Sequence, residues 1–149
     1  MTDARRAAEV PQAVREIIRR AGHEIRNALN GIAVNTEVVR SRAAREGSPQ
    51  EIATFAERAL SQVGEASALA DGLLAVVNSV LAAQAAGTLK NARGHGAGSR
   101  IELMIYGEGA TGTVSDIERL ASRVGVGVEQ DGERVILTIL PEGKSHSKD

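Results

Sequence analysis

Cysteine and tryptophan are absent from this chain of 149 residues, and phenylalanine and tyrosine occur once each. Without thiols there are no disulfides and no thiolate metal sites. Without bulky aromatics, the core falls to alanine and the aliphatic residues, a composition that favours closely packed helices. Long apolar runs are also missing. No stretch approaches the roughly 20 residues of a membrane span, and the start lacks the apolar segment of a signal peptide. Nor does one sign of charge dominate: 18 basic and 19 acidic residues leave a net charge of -1 and are mixed along the chain. Neither nucleic acid nor an anionic membrane is indicated as a partner. The expectation is a cytoplasmic protein of one or two small domains with an ordinary core.

What is present falls into four parts. From about Pro11 to Arg45 the pattern is a long helix, with Pro11 suited to a first turn. Glu46-Gly47-Ser48-Pro49 reads as a stop and a restart. Gly47 can cap the first helix, Ser48 can serve as N-cap, Pro49 fits the first turn, and Glu51 completes a capping box. A second helix then runs to about Ala86. It carries a stripe of alternating 4,3 spacing: Ile52, Ala56, Ala59, Val63, Ala66, Ala70, Leu73, Val77 and Val80. The first helix has a matching stripe of Ile18, Ala21, Ile25, Ala28, Ile32, Thr36 and Val39. Two such hairpins would close both seams as a four-helix bundle, so residues 11–86 are expected to dimerise.

Residues 87–99, with four glycines close together, are expected to be a linker. Within it, His95 reads as a bystander. Residues 100–141 give a small β-α-β-β module: a strand at Ile101–Tyr106, an amphipathic helix at Val114–Val124, and two strands flanking an Asp131-Gly132 turn. The tail, 142–149, is polar and expected to be disordered. The fold class is α+β, a long antiparallel helical hairpin followed by this module.

The stretch Gly22-His23-Glu24-Ile25-Arg26-Asn27-Ala28-Leu29-Asn30 carries the chemistry. At about 100° per residue, His23 lies opposite the apolar stripe, with Asn27 and Asn30 on the same outward face. A neutral imidazole offers one nucleophilic nitrogen when the other keeps its proton. Glu24 could accept that N–H and hold the tautomer, and Asn27 could orient a phosphoryl oxygen or a water. His23, His95 and His146 are too scattered for a metal centre.

These residues resemble the H-box of bacterial sensor histidine kinases, in which His-Glu is followed by a hydrophobic residue, Arg or Lys, Asn or Thr, then Pro-Leu. Ala28 stands where that family usually has Pro, and the helix is expected to be straighter for it. Leu69-Ala70-Asp71-Gly72-Leu73-Leu74 is similar to the second helix of the same dimerisation and phosphotransfer domain. The resemblance covers about residues 12–86. It implies that His23 accepts the phosphoryl group, that Glu24 acts as base, and that Asn27 assists dephosphorylation of a response regulator. Arg26 and Asn30 would contact the regulator's receiver domain.

Members of that family continue into a much longer ATP-binding domain, whereas only about 60 residues follow the hairpin here. Residues 117–128 and 134–141 are similar to the end of that domain. The asparagine-bearing helix that holds Mg²⁺ and the Asp-x-Gly-x-Gly box are missing. Gly107-Glu108-Gly109 keeps a glycine pair, with Ile105 where the Asp would stand. The resemblance therefore implies a histidine phosphotransfer protein that binds no cofactor itself, Mg²⁺ coming with the receiver domain. Its partners would be a second copy, a receiver domain and an upstream histidine kinase. The alternatives are a diverged or truncated sensor kinase and a non-catalytic adaptor that binds a kinase or a receiver.

Overall fold

The computed structural model describes residues 10–93 and 99–141. The expected tail at 142–149, His95 and His146 lie outside them. The architecture is α+β. Helices α1 (Gln12–Ala44) and α2 (Pro49–Ala86) pack together as a long hairpin. Strands β1 (Lys90–Arg93) and β2 (Ser99–Met104), helix α3 (Ala110–Val124), and strands β3 (Val126–Asp131) and β4 (Arg134–Ile139) follow.

The hairpin turn forms largely as its residues dictate. Ser48 is the N-cap of α2, its hydroxyl accepting from the Glu51 N–H at 3.2 Å, and Pro49 sits in the first turn. The left-handed residue that ends α1 is Glu46 (φ 57°), not the expected Gly47. Gly47 is needed for closeness instead: a Cβ there would lie 2.9 Å from the Arg42 carbonyl oxygen, which accepts the Gly47 N–H at 2.8 Å. Gly87 ends α2 in the left-handed conformation (φ 71°), the usual glycine stop.

The four strands form one antiparallel sheet in the order β1-β2-β4-β3. Here the expected linker at 87–99 is corrected, because Lys90–Arg93 is an edge strand paired to β2 with Lys90 opposite Glu102. A four-residue polar strand has no alternation to betray it. What pairs it to β2 in the register above is a backbone ladder, which the sequence does not advertise. The β3–β4 turn closes with Asp131 opposite Arg134 and Gly132 at φ 62°, as the Asp-Gly pair suggests.

One core joins the module to the base of the hairpin. From α3 come Val114, Ile117, Leu120, Ala121 and Val124; the sheet adds Ile101, Leu103, Val135, Leu137 and Ile139 at period two. Against them pack Ala13, Val14, Ile17 and Ala21 of α1 and Leu69, Val76, Val80 and Ala83 of α2. Gly72 lets α2 approach α3, since a Cβ there would lie 2.5 Å from the Leu120 Cβ and 2.8 Å from the Asp116 carbonyl oxygen. Further up the hairpin, Gly31 opens a slot for Gln62, whose amide oxygen accepts from Asn35 at 2.8 Å.

The expected apolar stripes are therefore not the seam within the chain. Only Ala21 and Ala28 of the α1 stripe and Val80 of the α2 stripe are buried. The inner side mixes small residues, such as Ala13, Ala21, Ala28, Gly72 and Ala83, with Val14, Ile17, Leu69, Val76 and Val80. A second set of large aliphatics faces outward: Ile18 and Leu29 on α1, and Leu60 (70% exposed), Val63, Leu74 (59%) and Leu81 on α2. By length and composition α2 is also long and apolar enough to cross a membrane, which corrects the expectation that no segment approaches that length. Part of that apolar surface is taken up by the protein itself, since Leu69, Gly72, Val76, Val80 and Ala83 pack into the core.

Candidate functional site

The middle of α1 presents the residues singled out above. Ala21 and Ala28 are buried and hold the helix to the rest of the protein on either side of His23. His23, Arg26, Asn27 and Asn30 are all exposed. Their spacing puts Asn27 one turn after His23 and Asn30 a second turn on, so they share one outward face. Glu24 is half-buried and points about 100° round the helix, toward the hairpin's inner side. No hydrogen bond joins its carboxylate to the His23 imidazole among the described residues, so the tautomer-holding contact expected from their adjacency is not formed in this conformation. Neighbours in sequence are not neighbours on a helix surface.

Electrostatics around the face are dominated by arginine. Glu16 binds two guanidinium groups, accepting from Arg19 Nη2 at 2.6 Å and Nε at 3.1 Å, and from Arg20 Nε at 2.9 Å. These bonds, that from Arg19 foremost, hold the Glu16 carboxyl down to about 2. Arg20 reaches further. Its Nη1 donates to the carbonyls of Val124 and Gly125, both at 3.0 Å, and its Nη2 to that of Leu140 at 2.9 Å. Nothing in the sequence marks this contact except the Glu16/Arg20 spacing, which suits an i,i+4 pair. Carbonyls more than a hundred residues away leave no local signal. Arg123 of α3 also pairs with Glu65 of α2, tying the module to the second helix.

The glycine pair lies elsewhere. Gly107 and Gly109 both have positive φ (95° and 83°) in the turn from β2 into α3. Beside them is a cleft of about 310 Å³ between α2, β2 and α3, lined by Ser79, Thr88, Tyr106, Glu108 and Thr113 among others. Among the described residues neither lysine nor arginine lines it, and Glu108 adds a negative charge, so these walls do not suit a triphosphate. No group of three or more His, Asp or Glu side chains that could hold a metal ion occurs among the described residues. The site thus consists of one helix face, chemically capable of nucleophilic attack by an accessible imidazole, beside a module locked to the same helix. No family model, curated protein or solved structure matches this chain.

Proposed function

We propose that the protein is a histidine phosphotransfer protein that carries a phosphoryl group on His23 to or from the aspartate of a response-regulator receiver domain. The observation that carries this reading is the exposed His23 on a helix whose buried Ala21 and Ala28 fix its place. A phosphorylated imidazole has a labile P–N bond, so transfer to a carboxylate is accessible in both directions. Asn27, one turn on, supplies an amide beside the phosphoryl group. Arg26 and Asn30 face the same solvent and would meet the receiver, which brings its own Mg²⁺. Glu24 would need a rotamer change to reach the imidazole and act as base.

A homodimer fits the outward stripe. Leu60, Leu74 and Leu81 of α2 are spaced by fourteen and seven residues, so they fall at one heptad position. With Ile18 and Leu29 of α1 they leave a large apolar surface uncovered in a single chain. A second hairpin laid on that stripe would complete a four-helix bundle and leave His23 outside it. On this account the protein works in the cytoplasm, receives phosphate from an upstream histidine kinase, and makes none from ATP itself. The truncated-kinase reading is disfavoured by the uncharged and acidic walls of the cleft.

The test is transfer. Incubated with a histidine kinase, Mg-ATP and receiver domains, the wild type is expected to take up acid-labile phosphate and pass it on. His23→Gln abolishes uptake and leaves the dimer intact. Uptake unchanged in the variant refutes the assignment of His23. Receiver binding that persists without any uptake by the wild type would establish the adaptor reading.

A further inference from the structure

Arg20 stands one turn before His23, and its side chain is only 11% exposed. A guanidinium is seldom withdrawn from water unless its donors are satisfied. Here three go to main-chain carbonyls of the α/β module and one to Glu16. Two of those carbonyls, of Val124 and Gly125, end α3, where helix geometry leaves acceptors unfilled and the dipole favours a cation. The third, of Leu140, follows β4. The Leu140 N–H in turn donates to the Gly125 carbonyl at 3.0 Å. Arg20 therefore grips a node at which the end of α3 and the end of β4 are already joined. Gly125, at φ 67°, also leaves room for the grip, since a Cβ there would lie 3.2 Å from Arg20 Nη1.

Residues three apart on a helix are surface neighbours, so the node lies on the same flank of α1 as His23. A specific protein partner covers about 800 Å² on each side. Four side chains on one helix face present far less than that, so a partner centred on His23 must extend onto whatever lies beside it. On this flank that is the node.

We propose that Arg20 is a positioning residue that latches the module to α1 and so makes the ends of α3 and β4 a fixed wall of the receiver-docking surface around His23. The proposal rests on the phosphotransfer reading of His23. Its electrostatic part is specific to a fork of donors: Nη1 serves the end of the helix while Nη2 serves the end of the strand, whereas lysine brings its donors to a single point.

The full-length chain is compared with Arg20→Leu and Arg20→Lys by three measurements. The first is hydrogen exchange at the Leu140 amide. The second is His23 loading by phosphoramidate, in which the donor's P–N bond breaks, one forms to the imidazole, and ammonia leaves. The third is transfer of that phosphate to purified receiver domains. In Arg20→Leu, amide exchange is expected to accelerate at least about tenfold, because hydrogen bonds to a charged group are lost. Loading by the small donor stays unchanged. The KM for the receiver rises about tenfold while the maximal transfer rate stays within about a factor of two, since docking rather than chemistry is affected. Arg20→Lys, which also serves if the leucine variant fails to fold, falls between. Unaltered exchange in both variants overturns the latch. Faster exchange with an unaltered KM overturns the docking wall. If no receiver accepts phosphate from loaded wild type, the phosphotransfer reading falls and takes the docking wall with it, while exchange still judges the latch.

Discussion

Two glycines on α2 offer the same substitution with opposite expected outcomes. Gly64 has open space where a Cβ would go, whereas a Cβ on Gly72 would stand 2.5 Å from the Leu120 Cβ and 2.8 Å from the Asp116 carbonyl oxygen. Alanine in a helix interior is worth about 0.8–1 kcal/mol over glycine, so Gly64→Ala should stabilise by that amount. Gly72→Ala gains the same propensity and then meets backbone that cannot rotate away. Helices α2 and α3 must separate, and overpacking of this kind costs about 1–3 kcal/mol. The expected gap between the two variants is that packing term alone. Urea unfolding at fixed protein concentration measures it, concentration being held because association adds to apparent stability. Equal stabilisation of both variants would show that α2 and α3 are not in contact at Gly72, and the shared core would be wrong.

Other expectations can be checked as directly. Leu74→Glu places a charge in the outward stripe and should turn a dimer into a monomer by light scattering, with helix content unchanged; a monomeric wild type at micromolar concentration refutes the bundle. Glu16 has a folded pKa of about 2 against 4.5 ordinarily, so its pairing with Arg19 and Arg20 stabilises fully above pH 4.5 and fades as the pH falls toward 2. The difference in urea midpoint between wild type and Glu16→Gln should shrink across that window and stay flat above it. Calorimetry with Mg-ATP should show no saturable binding, and a micromolar dissociation constant would favour the kinase reading instead.

The sequence was most legible where local chemistry decides. Ser48, Pro49 and Glu51 together favour a helix start, and Asp131-Gly132 between two apolar runs favours a hairpin turn; both form as expected. The amphipathic helix expected at Val114–Val124 and the strand expected after Asp131-Gly132 both form, and their buried faces build the module's core. Legibility failed where partners are remote. The heptad spacing revealed apolar stripes but not what covers them: Ile17, Leu69 and Val76 turn inward to the core while Leu60, Leu74 and Leu81 stay outside. Strand β1, Lys-Asn-Ala-Arg at the edge of the sheet, has no alternating apolar pattern by which the sequence could reveal it. At the candidate site, helical spacing put His23, Asn27 and Asn30 on one outward face, and Arg26, named through the resemblance, is exposed beside them. The same spacing separates His23 from Glu24, and the link from Arg20 to Val124, Gly125 and Leu140 depends on tertiary structure.

Phosphate mapped to a single atom tests the account most directly. The chain is loaded with phosphoramidate at neutral pH, digested without acid, and read by fragmentation mass spectrometry before and after a receiver domain is added. The account predicts one acid-labile phosphate on the His23 imidazole, lost on adding the receiver as an aspartyl phosphate appears, and no such cycle in His23→Gln. Phosphate that never leaves His23 for any receiver, or a transfer that persists in His23→Gln, would contradict it.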